Sequence, residues 1–323
     1  MTMVHETPTW FTRPWSVPEL VERKGRRQVS VVLPALDEEA TVGEVVASIR
    51  PLVGTLVDEL LVIDSGSTDD TVAVARAAGA TVRTREQALP HLPPVPGKGE
   101  VLWRSLAVAR GDLIVFVDSD LVAPDPRFVP ALLAPLLFED EVRLVKGFYR
   151  RPLRTGGSDQ ADGGGRVTQL VARPLLAALA PELAEIVQPL GGEYAATRAL
   201  LTDIPFAPGY GVEIGVLLDC WQRHGISAIA EVDLGTRRHR NRPNHELAVM
   251  SRQVVATLLD RLGIRDSGRG LSQFIPSGDG WLRVVSEVGR ADRPPMRLLD
   301  DSAAVGRTDH GPADPRFGIH SMS

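Results

Sequence analysis

Leu113-Ile114-Val115-Phe116-Val117-Asp118-Ser119-Asp120 runs five apolar residues straight into two carboxylates set one residue apart. A short apolar run bounded by polar residues reads as a strand buried on both faces of a sheet. Its carboxyl end carries Asp118 and Asp120, whose oxygens suit a hard divalent cation, magnesium or manganese, bridging a diphosphate. Such an ion acts as a Lewis acid on a leaving diphosphate. Upstream, Val29 to Leu36 reads as a second buried strand and runs into Asp37-Glu38, while Glu59 to Asp64 reads as a third and ends on Asp64-Ser65. In open α/β sheets ligands gather at the carboxyl ends of strands, so three polar strand ends predict one shared crevice.

Helical spacing fills the gaps between these strands. A helix is expected from about Glu38, with Val42, Val45, Val46 and Ile49 on one face, and another over Thr68 to Ala78, capped by Thr68 or Asp69 and closed by Gly79. Thr81 to Thr84 adds a short strand, a Pro-rich loop covers Leu89 to Gly97, and a helix follows over Lys98 to Arg110. The first half therefore reads as repeated βα units on a mainly parallel sheet. Lys98, between Gly97 and Gly99 at a helix start, combines an ammonium with free backbone N–H groups, a combination that receives a nucleoside diphosphate. Asp64-Ser65-Gly66-Ser67-Thr68-Asp69-Asp70 offers acceptors and small residues suited to a nucleoside.

The second half is less regular. Arg143 to Arg150 reads as a strand, and Thr155 to Gly165, with five glycines, as a mobile loop. Helices are expected over Val167 to Ile186 (interrupted by Pro174 and Pro181), Gly211 to Arg223 and Glu246 to Leu262, and a strand over Ile226 to Val232. Patterning weakens from Gly263, and Gly306 to Ser323 reads as a poorly ordered tail.

A chain of 323 residues, 43% of them hydrophobic, buries a large core in one big domain or two. The expected divisions are an N-terminal extension (1–28), a nucleotide-sugar-binding half (29–142), an acceptor-binding half (143–262) and a C-terminal extension (263–323). No apolar run approaches the roughly 20 residues that span a bilayer, and no charged-then-apolar leader precedes Val29, so a cytoplasmic protein with no membrane partner is expected. The single cysteine, Cys220, excludes an intramolecular disulfide and a cysteine-only metal cluster, and reads as a small core residue on a helix. A net charge of −5 argues against a general nucleic-acid binder. Two basic stretches, one holding Arg143, Lys146, Arg150, Arg151, Arg154 and Arg166, the other Arg237, Arg238, Arg240 and Arg242, are placed to face a small anionic ligand.

Val31-Val32-Leu33-Pro34-Ala35-Leu36-Asp37-Glu38-Glu39, Asp64-Ser65-Gly66-Ser67-Thr68-Asp69, Gly97-Lys98-Gly99 and Asp118-Ser119-Asp120 follow one another in the order and spacing of GT-A glycosyltransferases. Gly164-Gly165-Arg166-Val167-Thr168, Gly191-Gly192-Glu193-Tyr194, Gly209-Tyr210-Gly211-Val212-Glu213 and Arg237-Arg238-His239-Arg240-Asn241-Arg242-Pro243 narrow the resemblance to the actinobacterial glucosyl-3-phosphoglycerate synthase family, over roughly Val29 to Leu262. The resemblance implies an α/β GT-A fold, a Rossmann-like mixed central sheet flanked by helices. It implies retaining transfer of glucose from UDP-glucose to the 2-hydroxyl of 3-phosphoglycerate, in a dimer whose interface the apolar stretch Glu246 to Leu262 is a candidate to form.

By motif match, the resemblance places uridine against Pro34, Ala35, Leu36, Glu38 and Ser65, with Lys98 and Ser119 near the diphosphate. Asp118 holds ribose or donor sugar, Tyr210 and Glu213 contact the glucose and acceptor ends, and Gly165, Arg166, Val167, Thr168, Arg237 and Asn241 grip 3-phosphoglycerate. Asp120 and His239 bind the metal, Mg2+ with Mn2+ or Co2+ tolerated, because an imidazole suits transition metals. An arginine beside a glycine loop binds phosphate bidentately, and Thr168 adds a hydroxyl. No carboxylate presents itself as a covalent nucleophile, which favours same-face substitution, and Gly156 to Gly165 is expected to order over the acceptor. The alternative donor is GDP-mannose, in a mannosyl-3-phosphoglycerate synthase; a non-catalytic sugar-nucleotide binding module is the alternative of a different class. A polyprenyl-phosphate transferase lacks its membrane segment here, a nucleotidyltransferase its glycine-rich first loop, and a dinucleotide oxidoreductase its G-x-G-x-x-G turn.

Overall fold

The computed structural model describes residues 15–150, 153–155, 158–160, 165–237, 243–288 and 291–299. Its first half alternates α1 (Val17–Lys24), β1 (Val29–Ala35), α2 (Val42–Ile49), β2 (Glu59–Asp64), α3 (Thr71–Ala77), β3 (Thr81–Thr84), the single turn α4 (Arg85–Ala88), α5 (Lys98–Ser105), β4 (Leu113–Phe116) and α6 (Phe128–Phe138). The second half adds β5 (Leu144–Arg150), β6 (Leu153–Thr155), β7 (Ser158–Gln160), α7 (Arg173–Leu179), β8 (Tyr194–Thr197), α8 (Arg198–Asp203), α9 (Val212–His224), β9 (Ile229–Thr236), α10 (Asn244–Arg261) and the hairpin strands β10 (Leu271–Ser277) and β11 (Gly280–Ser286).

Seven strands form one sheet in the order β3-β2-β1-β4-β8-β5-β9. The first four are mutually parallel, as their βα connections require, but β8 runs antiparallel to both β4 and β5, which makes the sheet mixed. Each central strand is apolar on both faces, and its alternate residues feed two cores. Val31, Leu33, Val115 and Val145 join the side chains of α1, α2, α3 and α6. Val32, Ile114, Phe116, Leu144 and Tyr194 join those of α5, α7, α8, α9 and α10. The molecule is thus a three-layer sandwich in which the cores divide by sheet face.

Several boundaries differ from the sequence reading, each for a local reason. The helix after β1 starts at Val42 rather than Glu38, because the backbone N–H groups of Glu38 and Glu39 donate sideways to Thr71 Oγ1 and Asp69 Oδ2. The next starts at Thr71, since Thr68 N donates back to Asp37 Oδ1 at 2.8 Å and Asp69 faces the first loop. Asp37 sits at φ 54, the left-handed region that Asp tolerates better than most residues. The helix from Lys98 ends at Ser105, not Arg110. Helical backbone runs unbroken from Arg166 to Leu179, but a π-helical turn over Thr168–Ala172 interrupts its α-helical ladder just before Pro174, and Pro181, after the helix ends, opens a 3-10 turn over Pro181–Glu185. Ile226–Ala228 is a 3-10 turn and the strand begins only at Ile229. The glycine-rich stretch contains the small hairpin β6–β7, and the weakly patterned region after Gly263 contains β10–β11. Most of Gly156 to Gly165 and all of Gly306 to Ser323 lie outside the described residues.

Candidate active site

Strand register brings the three polar ends together. Ala35 pairs with Asp64 and Val32 with Phe116, so two residues beyond β4 Asp118 draws level with Pro34. Ser119 Oγ donates to Pro34 O at 2.6 Å and Ser65 N to Ala35 O at 2.8 Å, closing the floor of a cavity of about 1020 Å³. Pro34, Ala35, Leu36, Glu38 and Ser65 form one wall, and Asp118, Ser119 and Asp120 the base. Gly165, Arg166, Val167 and Thr168 line the same cavity.

Lys98 arrives through glycine geometry. Gly97 adopts φ 120 and presses against the backbone of Gly209 too closely for a side chain, which sets the first turn of α5 beside Tyr210. Lys98 Nζ lies 2.5 Å from Asp118 Oδ1 and 2.7 Å from Glu213 Oε1, the latter carried on the first turn of α9. Burial works against the ammonium, and the two carboxylates outweigh it, holding Lys98 charged well above the usual lysine range. Tyr210 N donates to Gln253 Oε1 of α10 at 2.9 Å, tying this corner of the cavity to that helix.

The base of the cavity holds a second cation. Arg237, directly after β9, donates from NH2 to Asp118 Oδ2 and to Asp120 Oδ1, each at 2.8 Å, and from NH1 to Tyr149 Oη at 3.1 Å. Its Nε lies 3.2 Å from Glu193 Oε1. Burial opposes the guanidinium charge, and Glu193, Tyr149, Asp118 and Asp120 more than restore it. Two carboxylates converging on one cationic group are a donor set that fits a hard divalent ion. No three His, Cys, Asp or Glu side chains cluster as a cation cage among the described residues. Arg166 NH1 donates to Asn244 Oδ1 at the start of α10.

Glycosyl transferase family 2 matches residues 30–163. A glucosyl-3-phosphoglycerate synthase of Mycolicibacterium smegmatis is 65% identical over 291 residues, covering 90% of this chain and 96% of the relative. The chain belongs to the glucosyl-3-phosphoglycerate synthase family. The Mycobacterium tuberculosis synthase, solved in complex with Mn2+, UDP-glucose and phosphoglyceric acid, superposes with a TM-score of 0.83 at 58% identity, covering 90% of this chain and 98% of that one. The same enzyme was solved with Mg2+ and UDP, at a TM-score of 0.84 and 59% identity, over 90% and 98% of the two chains. The architecture is accordingly the GT-A glycosyltransferase fold.

Among the residues expected from the synthase resemblance, His239 and Asn241 lie outside the described residues, and every other one lines this same cavity. Arg237 lines it too, with its guanidinium engaged by the acidic pair. Sequence reasoning passed over Tyr149, quoted Glu193 only within a motif and counted Lys146 in a basic stretch facing an anionic ligand; all three are buried behind the cavity and none lines it. Lys146 is buried on β5, donates to Gly191 O at 2.6 Å and lies 4.8 Å from the centre of the Tyr194 ring. That bond fixes the turn in which Gly192 leaves no room for a side chain against the Asp118 carboxylate. The Gly191-Gly192 pair was the available signal: glycines before a strand mark a close approach. Cys220 is buried on α9, and burial pushes its thiol up to about 12, in keeping with a core residue. Among the described residues no helix is long and apolar enough to cross a membrane.

Proposed function

We infer that this enzyme transfers glucose from UDP-glucose to the 2-hydroxyl of 3-phosphoglycerate, releasing UDP and glucosyl-3-phosphoglycerate. The observation that carries the reading is the one cavity that joins the nucleotide wall, the Asp118–Asp120 base and the Gly165–Thr168 wall, in a chain this similar to synthases solved with UDP-glucose and phosphoglyceric acid. Pro34, Ala35, Leu36, Glu38 and Ser65 receive uridine, and Asp118 the ribose or sugar. Arg166 and Thr168 hold the acceptor's phosphate, together with Asn241. Asp120 and His239 hold Mg2+ or Mn2+. The bound ion supplies Lewis-acid neutralisation of diphosphate charge. We assign residues 29–142 to the donor and 143–262 to the acceptor.

Lys98 is charged, fixed at both ends of its contact range by Asp118 and Glu213, and so aims a preorganised positive charge at the departing diphosphate. Both carboxylates are held in ion pairs, which lowers their nucleophilicity. Asp118 is bonded on one oxygen by Lys98 and on the other by Arg237, and Glu213 is held by Lys98. This supports same-face substitution with retention of configuration, in which the acceptor hydroxyl approaches on the face that UDP leaves. A glycosyl adduct on either side chain, seen by mass spectrometry, would refute it.

We also propose a homodimer. The apolar side of α10, carrying Val254 and Leu258, is turned inward against α9 and does not serve as the contact. The hairpin β10–β11 does: register puts Phe274, Trp281 and Val285 on one face, exposed by 63%, 70% and 57%. A two-stranded ribbon with such a face needs a covering partner.

The test is product formation from UDP-glucose and 3-phosphoglycerate with Mg2+, comparing the unaltered chain with Asp120→Ala and with GDP-mannose as donor. Glucosyl-3-phosphoglycerate made by the unaltered chain alone is the expected result. Turnover mainly of GDP-mannose, or full activity in Asp120→Ala, overturns the reading of donor or metal site.

A further inference from the structure

Two acids placed side by side at the end of a buried strand repel each other unless a cation lies between them. Here the polypeptide supplies one. Arg237 NH2 bridges Asp118 Oδ2 and Asp120 Oδ1, and the guanidinium is gripped from behind by Glu193 and Tyr149. Arg237 is 5% exposed and Glu193 fully buried, so this is a built interior site and not a passing surface contact. Among the described residues, the carboxylates of Asp118, Asp120, Glu193 and Glu213 meet the cations Lys98, Lys146 and Arg237, so that most of the negative charge of the centre is offset with nothing bound. A divalent ion taken up through Asp120 therefore arrives beside a guanidinium bonded to the same carboxylate.

We propose that Arg237 is the resident counter-cation of the Asp118–Asp120 pair, that a divalent ion enters by displacing it from Asp120, and that Glu193 is the positioning residue that retains the displaced guanidinium. This rests on the reading of Asp120 as a ligand of the metal. Arg237 holds the two carboxylates on one guanidinium nitrogen, and so at a fixed spacing, before any ligand arrives. It also weakens the binding of a free metal ion, since a like charge beside a bound cation is unfavourable. Metal uptake is thereby coupled to the arrival of the donor, whose diphosphate adds the negative charge that the guanidinium had offset.

The experiment titrates Mn2+ alone into nucleotide-free protein, following the free-ion electron paramagnetic resonance signal. The unaltered chain is compared with Asp120→Ala and with the double variant Arg237→Met, Glu193→Gln, which removes the buried pair together and leaves no lone interior acid. The double variant is expected to bind Mn2+ at least about tenfold more tightly than the unaltered chain, because the competing like charge is gone. Equal or weaker binding, or no measurable binding by either chain, overturns the proposal and makes Arg237 a builder of the site. Loss of Mn2+ binding in Asp120→Ala belongs to the metal reading; if that variant binds as the unaltered chain does, the metal reading fails on its own. Should the double variant lack a cooperative melt, the unaltered chain decides. Its Arg237 Nε–Hε nuclear magnetic resonance signal, assigned through Arg237→Lys, is expected to shift when Mg2+ and UDP are added. A signal unmoved while UDP binds rules the displacement out.

Discussion

A side-chain carbon at Gly192 would drive into the Asp118 carboxylate. Because Asp118 is tied to Lys98 on one oxygen and to Arg237 on the other, its movement displaces both cations. Gly192→Ala is therefore expected to lower kcat/KM about a hundredfold, the cost of roughly an ångström of misplacement, with a melting temperature close to the parent's; steady-state kinetics beside a thermal melt checks this. Lys146 gives a prediction of a different kind. Burial, only partly offset by Glu213, brings its ammonium down to about 8 from 10.5. Between those values the unfolded chain holds more protons at this position than the folded one, so folding stability rises with pH there. Relative to Lys146→Met, the unaltered chain is expected to gain melting temperature as pH goes from about 8 to about 10, and parallel melts of the two chains show the sign. Asp118, Asp120 and Lys98 were legible because their chemistry sits beside a strand end and a glycine pair. Lys146 was not: in the sequence it is one basic residue among Arg143 and Arg150, and only its pairing with Tyr194 across β5 and β8 places it inside.

Among the elements, α5 shows how a helix can carry a site on one end and a scaffold on the other. Its Arg104 is fully buried, bonded to Glu100 at 2.5 Å and donating to the carbonyls of Arg85, Leu89 and Leu92. The proline-rich loop before Lys98 is thus folded over an interior guanidinium. Arg104→Met leaves three carbonyls and part of the Glu100 carboxylate without their donor, and is expected to cost about 3–5 kcal/mol, as breaking a buried charged network does; denaturant unfolding measures it. Strands β1, β2 and β4 were legible from their unbroken apolar runs. Strand β8, four residues long and carrying two alanines, gave no such run, and its antiparallel direction follows from the layout of the sheet instead. The hairpin β10–β11 escaped notice because its apolar residues come in adjacent pairs, Phe274-Ile275, Trp281-Leu282 and Val284-Val285, and show neither the strict alternation nor the continuous run that marks a strand.

At the scale of the whole molecule, the outward apolar face of that hairpin sets the expected assembly. Replacing Phe274 and Trp281 by lysine is expected to turn the proposed dimer into a monomer that keeps its secondary structure, as light scattering after size exclusion and circular dichroism will show. A monomeric parent chain rules that interface out. The sandwich also joins distant parts of the sequence. Residues 291–299 return to the back of α5, where Trp103 Nε1 donates to Pro294 O at 2.8 Å, Arg293 meets Glu100 at 2.6 Å and Met296 is buried in the second core. Arg293 also pairs with Phe206 through reciprocal backbone bonds. The helix that presents Lys98 is backed by some of the last described residues of the chain. On a ribosome adding about 5–20 residues per second, the nucleotide-binding motifs emerge well before Arg293 and Pro294, which lie more than 190 residues beyond Lys98 and Trp103. A nascent chain that already carries every donor motif thus still lacks the backing of the helix that presents its lysine.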